Sequence, residues 1–176
     1  MEEEIEDYSQ IIELNFFNKG INELPNLLKY TNLKNFCCCH NNITSLDNLP
    51  PNLKFLNCSA NKLNSLDYLP QFLEFLDCSY NQITSLDNLP QSLIKLHCSN
   101  NKITSLDNLP QSLIYLSCSY NYITSLNNLP NSLEELNCLY CKKLIILENL
   151  PNNLKILYCS EKLLIKDTKP DLKIIN

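Results

Sequence analysis

The chain has 176 residues, 44% of them hydrophobic, with nineteen acids against fourteen bases and a formal charge of −5. The apolar share suffices for a continuous core, but no apolar run approaches the roughly 18 residues that would suggest a membrane span. All fourteen bases are lysine and there is one glycine, Gly20. Clustered cations along a phosphate backbone are therefore not expected, nor is a glycine-rich phosphate loop.

The first seven residues carry five of the nineteen acids. That leaves the rest of the chain near neutral. Residues 1–10 read as an acidic tail or cap with no basic stretch of the secretory kind. A loose unit follows through Ile11, Leu14, Phe16, Ile21 and Leu24. The next unit is better formed, with Leu33, Phe36, Cys38, Asn41, Ile43 and Leu46. Pro50, Pro70, Pro90, Pro110 and Pro130 then recur every twenty residues, and Pro151 follows at twenty-one. Between them the chain repeats one pattern, seen most plainly in Leu93, Leu96, Cys98, Asn101, Ile103, Leu106, Leu109 and Pro110. A sixth copy uses Cys141 where the others have Asn, and a last one, from Leu154, decays after Cys159.

The unit L-x-x-L-x-C-x-x-N-x-I-x-x-L-x-x-L-P resembles the leucine-rich repeat, with Cys in place of its third Leu. Its short period and Leu-Pro step are similar to the repeats of secreted bacterial effectors. The Asn, Ile and Lys bias is similar to that of AT-rich genomes such as those of giant viruses. The resemblance implies a mostly β solenoid of about eight repeats over residues 11–161, with residues 162–176 as a C-terminal cap. Short parallel strands would form a concave face. The Leu-Pro return leaves little room for a helix and predicts an extended, polyproline-like convex side. The resemblance also implies that the Asn row, 41, 61, 81, 101 and 121, bonds backbone groups inside the turn.

Ten cysteines would suit a disulfide framework in a small secreted chain. Their spacing argues otherwise. Cys38, Cys58, Cys78, Cys98, Cys118, Cys138 and Cys159 occupy an inward position, where a free thiol packs as a small hydrophobe. Reduced thiols imply a cytoplasmic setting, or a host cytosol for a viral or secreted protein. Alternation places Cys37 and Cys39 outside, beside His40. Those three are zinc-ligand types but lack a fourth, so neither a metal nor any other cofactor is expected. Asn42-Ile43-Thr44 and Asn57-Cys58-Ser59 match the glycosylation sequon and, without an export signal, carry no weight.

Outward strand positions decide what a solenoid binds. Phe55, Phe75, Lys95 and Tyr115 share one such column, and His97 lies in the next. Tyr80, Tyr120 and Tyr140 fall just beyond the strands. Rigid aromatic area among Ser and Asn suits protein recognition. These eight residues are the candidate partner site of a non-enzymatic interaction module, with neither nucleic acid nor membrane as partner. The alternative is a structural, weakly self-associating protein joined through edge strands near residues 14–16 and 157–159. Asp77, His97 and Ser117 occupy one column and match the chemical types of a hydrolase triad. An open sheet offers them no turn for an oxyanion hole, so this is the remote reading and no catalytic residue is expected.

Overall fold

A computed structural model describes residues 7–166 and 170–176. Asp167, Thr168 and Lys169 of the expected cap, and most of the acidic head, lie outside the described residues. After a 3-10 turn at Tyr8–Gln10, the strands are β1 (Glu13–Asn15), β2 (Asn35–Cys37), β3 (Phe55–Asn57), β4 (Phe75–Asp77), β5 (Lys95–His97), β6 (Tyr115–Ser117), β7 (Glu135–Asn137), β8 (Ile146–Leu147), β9 (Ile156–Tyr158), β10 (Leu164–Ile165) and β11 (Lys173–Ile175). Nine of these form one parallel sheet in the order β1-β2-β3-β4-β5-β6-β7-β9-β11. Consecutive rungs pair without slip, as in Phe75↔Lys95, Leu76↔Leu96 and Asp77↔His97. A shift of one residue would turn every leucine outward, so the apolar alternation fixes the register.

The core is one stack of columns. Leu56, Leu76, Leu96, Leu116 and Leu136 are fully buried, as are Cys58, Cys78, Cys98, Cys118 and Cys138 beside them. Leu106 and Leu109 close the same interior from the return path, 1% and 3% exposed. That path contains no α-helix among the described residues. It is extended backbone broken by turns, and from Pro50 on the turn after each Leu-Pro step is set by the proline carbonyl accepting the N–H three residues on, as from Leu113 to Pro110 at 3.1 Å. The parallel rungs and helix-free return bear out the expected solenoid.

The thiols of the core column are not idle. Cys58, Cys78, Cys98, Cys118 and Cys138 each donate to a carbonyl of the following rung at 3.4 Å. A leucine could fill this column but could not make that weak bond.

Three features depart from what alternation alone suggests. Cys39 is buried, 7% exposed, and Cys37 is half-buried. The strand ends at Cys37, and in the bend beyond it Cys39 turns in so that its sulfur lies 3.1 Å from that of Cys37. The sheet's far edge is Lys173–Ile175 rather than 157–159, because β11 pairs with β9. Finally, β8 and β10 form a second small parallel sheet where the sixth copy carries its extra residue. The segment expected as a cap thus adds a strand to each sheet.

Candidate interaction surface

Each rung needs a corner between strand and return path, and one inward Asn holds it. Asn101 donates through Nδ2 to the carbonyls of Cys78 (3.0 Å), Cys98 (3.1 Å) and Ser99 (3.3 Å), while its Oδ1 accepts from Ile83 N–H at 2.9 Å. Asn61, Asn81 and Asn121 repeat the set. At the sixth copy Cys141 replaces this set with a 3.4 Å thiol bond to the Cys118 carbonyl and a contact with the Cys118 thiol. These bonds satisfy buried backbone groups that the corner would otherwise leave unpaired.

The corner has a second consequence. The residue before each Asn, and before Cys141 in the sixth copy, takes positive φ: His40 56°, Ala60 53°, Tyr80 56°, Asn100 55°, Tyr120 55° and Tyr140 58°. Left-handed backbone costs an L-residue about 1–2 kcal/mol, and only Gly, Asn and Asp adopt it readily. Tyrosine fills three of these six places, 62%, 50% and 53% exposed. Burial therefore does little to offset the strain there. Tyr120 and Tyr140 stack at 4.5 Å between ring centroids, and at the other end Phe17 meets His40 edge-on at 5.3 Å.

Inside this ridge runs a ladder of rings. Phe55 and Phe75 stack at 4.3 Å with planes 9° apart. Phe75 then meets His97 at 5.4 Å, and His97 meets Tyr115 at 4.8 Å. The ladder crosses from one outward column to the next and back, because Lys95 extends into solvent and His97 leans into its place. Burial lowers the His97 pKa, against the opposing pull of Asp77, which favours the neutral ring that stacks without a charge to desolvate. Stacked rings spend their faces on each other and present positively polarised edges outward.

A strip of hydroxyls lies between ladder and ridge. Ser79, Ser117 and Ser119 are buried. Ser99 and Ser117 share a hydrogen bond at 3.0 Å, and Ser119 donates to Asn137 Oδ1 at 2.6 Å.

The structure thus puts Phe55, Phe75, His97 and Tyr115 in one contiguous row, with Lys95 exposed beside it. Tyr80, Tyr120 and Tyr140 stand apart on the ridge. Sequence reasoning missed Phe17 and Tyr122. Tyr122 is 49% exposed, with the Lys143 ammonium 5.4 Å from its ring. Both continue the exposed aromatic edge, and a count of solvent-facing aromatics per rung would have found them. Asp77, His97 and Ser117 are adjacent in register, but their hydrogen bonds run elsewhere. Asp77 Oδ1 accepts from Ser79 N–H at 3.0 Å, and Ser117 is bonded to Ser99. Among the described residues no three metal-ligating side chains form a metal-holding group.

Comparison with known proteins agrees with this geometry. Residues 71–111 match the family model described as leucine-rich repeats in two copies. No curated protein matches the sequence significantly. Among solved structures, the leucine-rich repeat domain of a Shigella effector is 28% identical at a TM-score of 0.71, covering 85% of this chain and 68% of that one. The effector YopM from Yersinia pestis is also 28% identical, with a TM-score of 0.74 over 86% of this chain. The match spans 48% of YopM, so the chain covers about half that protein's length. The functional domain of InlJ from Listeria monocytogenes, which includes a cysteine ladder, is 26% identical at a TM-score of 0.56, over 86% of this chain and 49% of that one. Such folds are common in protein–protein interaction modules. With repeating rungs, an inward Asn row and effector domains as structural neighbours, the chain folds as a leucine-rich repeat solenoid and is similar to the repeat domains of bacterial effectors.

Proposed function

We propose that the protein is a non-enzymatic scaffold that grips a protein partner on its strand face, between the ring ladder and the tyrosine ridge. The observation that carries this reading is the trio of exposed tyrosines, Tyr80, Tyr120 and Tyr140, held in left-handed backbone where Asn would be unstrained. Strain that folding does not need collects at functional positions. The ladder Phe55–Phe75–His97–Tyr115 supplies rigid apolar area, and its ring edges suit carbonyl oxygens and aromatic faces of a partner. Ser99, the half-exposed member of the hydroxyl strip, supplies an adaptable hydrogen bond. Lys95, exposed beside His97, offers a charge for orientation.

The partner is a protein rather than nucleic acid, since the strand face carries Asp77 and Glu135 against Lys95 and no run of cations. No helix among the described residues is long and apolar enough to cross a membrane. Ten free thiols fit a reducing compartment, so the protein acts in a cytoplasm, its own or a host's.

The test replaces Phe75, Tyr80 and Tyr115 together and compares capture of protein from the native cytosol. Loss of a captured protein with an unchanged circular dichroism spectrum supports the reading. Undiminished capture would refute it.

Self-association is the second reading. Glu13 and Lys173 occupy the same outward column on the two edge strands, β1 and β11. Two copies meeting edge to edge would pair these charges. Light scattering that reports salt-sensitive, open-ended association growing with concentration, unaffected by the triple replacement, would favour it.

A further inference from the structure

Cys37 is the last residue of β2 and Cys39 lies two residues on, just past the strand. Their sulfurs are 3.1 Å apart. The approach is built into the rung. At the same two places one rung later, the Ser59 hydroxyl donates to Asn57 Oδ1 at 2.7 Å. The corner thus brings these two positions within side-chain reach in both rungs, and in the second rung both are thiols. Cys38, between them, points into the core and is fully buried.

We propose that Cys37 and Cys39 form a dithiol site that takes disulfides, closing to an intramolecular disulfide by thiol–disulfide exchange. A disulfide bond is about 2.05 Å long, so the sulfurs need to approach by only about 1 Å. Cys37 is half-exposed and attacks first. Its thiolate bonds to one sulfur of the incoming disulfide and expels the other as a thiolate. Cys39 then attacks the Cys37 sulfur, loses its proton to water, and expels the second thiolate. Two thiols of the protein are oxidised and one external disulfide is reduced to two thiols. Burial, then the hydrogen bond and charge of Cys37, push the Cys39 thiol up to about 12. That makes Cys39 the resolving partner rather than the first nucleophile.

The other eight cysteines cannot compete, because each is buried. The bridge would also stiffen the first corner. The Cys37 carbonyl accepts from Phe16 N–H at 2.7 Å and the Cys39 carbonyl from Asn18 N–H at 3.1 Å, so the pair sits where the first two rungs join.

The test treats the reduced, folded full chain with dithiobis(nitrobenzoate). The expected fast phase releases two thionitrobenzoates per chain and leaves no adduct. Digestion then yields the peptide spanning Cys37 and Cys39 lighter by two hydrogens. Cys39→Ser should release one equivalent and retain an adduct on Cys37. Cys37→Ser should abolish the fast phase. Matching circular dichroism spectra keep both variants comparable with the parent. Oxidised glutathione should give the same bridge more slowly. An adduct retained on Cys37 of the parent chain, or a bridge that includes Cys38 or the core column, would overturn the assignment.

Discussion

Asn101 Oδ1 accepts the N–H of Ile83, eighteen residues earlier, at 2.9 Å. One side chain thereby ties the start of one return path to the corner of the next. Asn101→Ala should destabilise the fold by about 1–3 kcal/mol, the cost of leaving buried backbone groups unpaired. Asn101→Cys, which copies Cys141, should recover part of that loss through a single weak bond. Urea denaturation at constant pH measures both, and equal stability of Asn101→Ala and parent would contradict this role.

Stability should fall in alkali. Burial holds the Cys58, Cys78, Cys98, Cys118 and Cys138 thiols well above the ordinary thiol range, aided at Cys118 by its hydrogen bond with Cys141, the largest cause there. In the unfolded chain these thiols ionise near pH 8.5. Above that pH the unfolded state binds fewer protons than the folded one, so the raised values favour unfolding as pH increases. Below it their contribution is fully present. Denaturation midpoints in reducing buffer should be level from pH 7 to about 8 and drop by pH 9.5.

The core column is spaced for sulfur. Cys98 lies between Cys78 and Cys118, all fully buried. Cys98→Leu restores the usual residue of the resembled family, yet it should cost about 1–3 kcal/mol by overpacking. A thermal melt that rises on this change would show a void beside the column instead.

Much of this was legible because a repeat states its own register. The prolines, the inward Leu and Cys columns and the Asn row placed the strands and the core before any coordinates. The corners were not legible. Tyr80 and Ala60 carry no signal for positive φ, which sequence reasoning assigns to Gly and Asn. Their conformation goes with the corner itself, where the N–H of Ala60 and Tyr80 bonds the Ser79 and Ser99 carbonyls of the next rung, and it persists at Tyr140 where Cys follows instead of Asn. Nor could columns alone foresee the ladder, since His97 enters it by leaning past Lys95, a matter of rotamer. Strand β11 is hidden because the Leu and Asn pattern has already decayed after Cys159. Cys39 was misplaced because the strand, and alternation with it, ends two residues before it.

Tyr68 is a control for backbone strain away from the strand face. It has φ 65° and is 78% exposed, in a column otherwise made of Asn48, Asn88, Asn108, Asn128 and Asn149. Tyr68→Asn should therefore stabilise the protein, by up to about 1 kcal/mol, and leave partner capture unchanged. Chemical denaturation and capture on one preparation check both halves.

The most direct measurement is the paired readout of Tyr80→Asn with Tyr120→Asn. Denaturation midpoint and partner affinity are taken on the same sample. A higher midpoint together with affinity lowered by at least about thirtyfold, the loss of one hot spot, is the result expected of strained residues kept for recognition. A lower midpoint, or unchanged affinity for the captured partner, would contradict it.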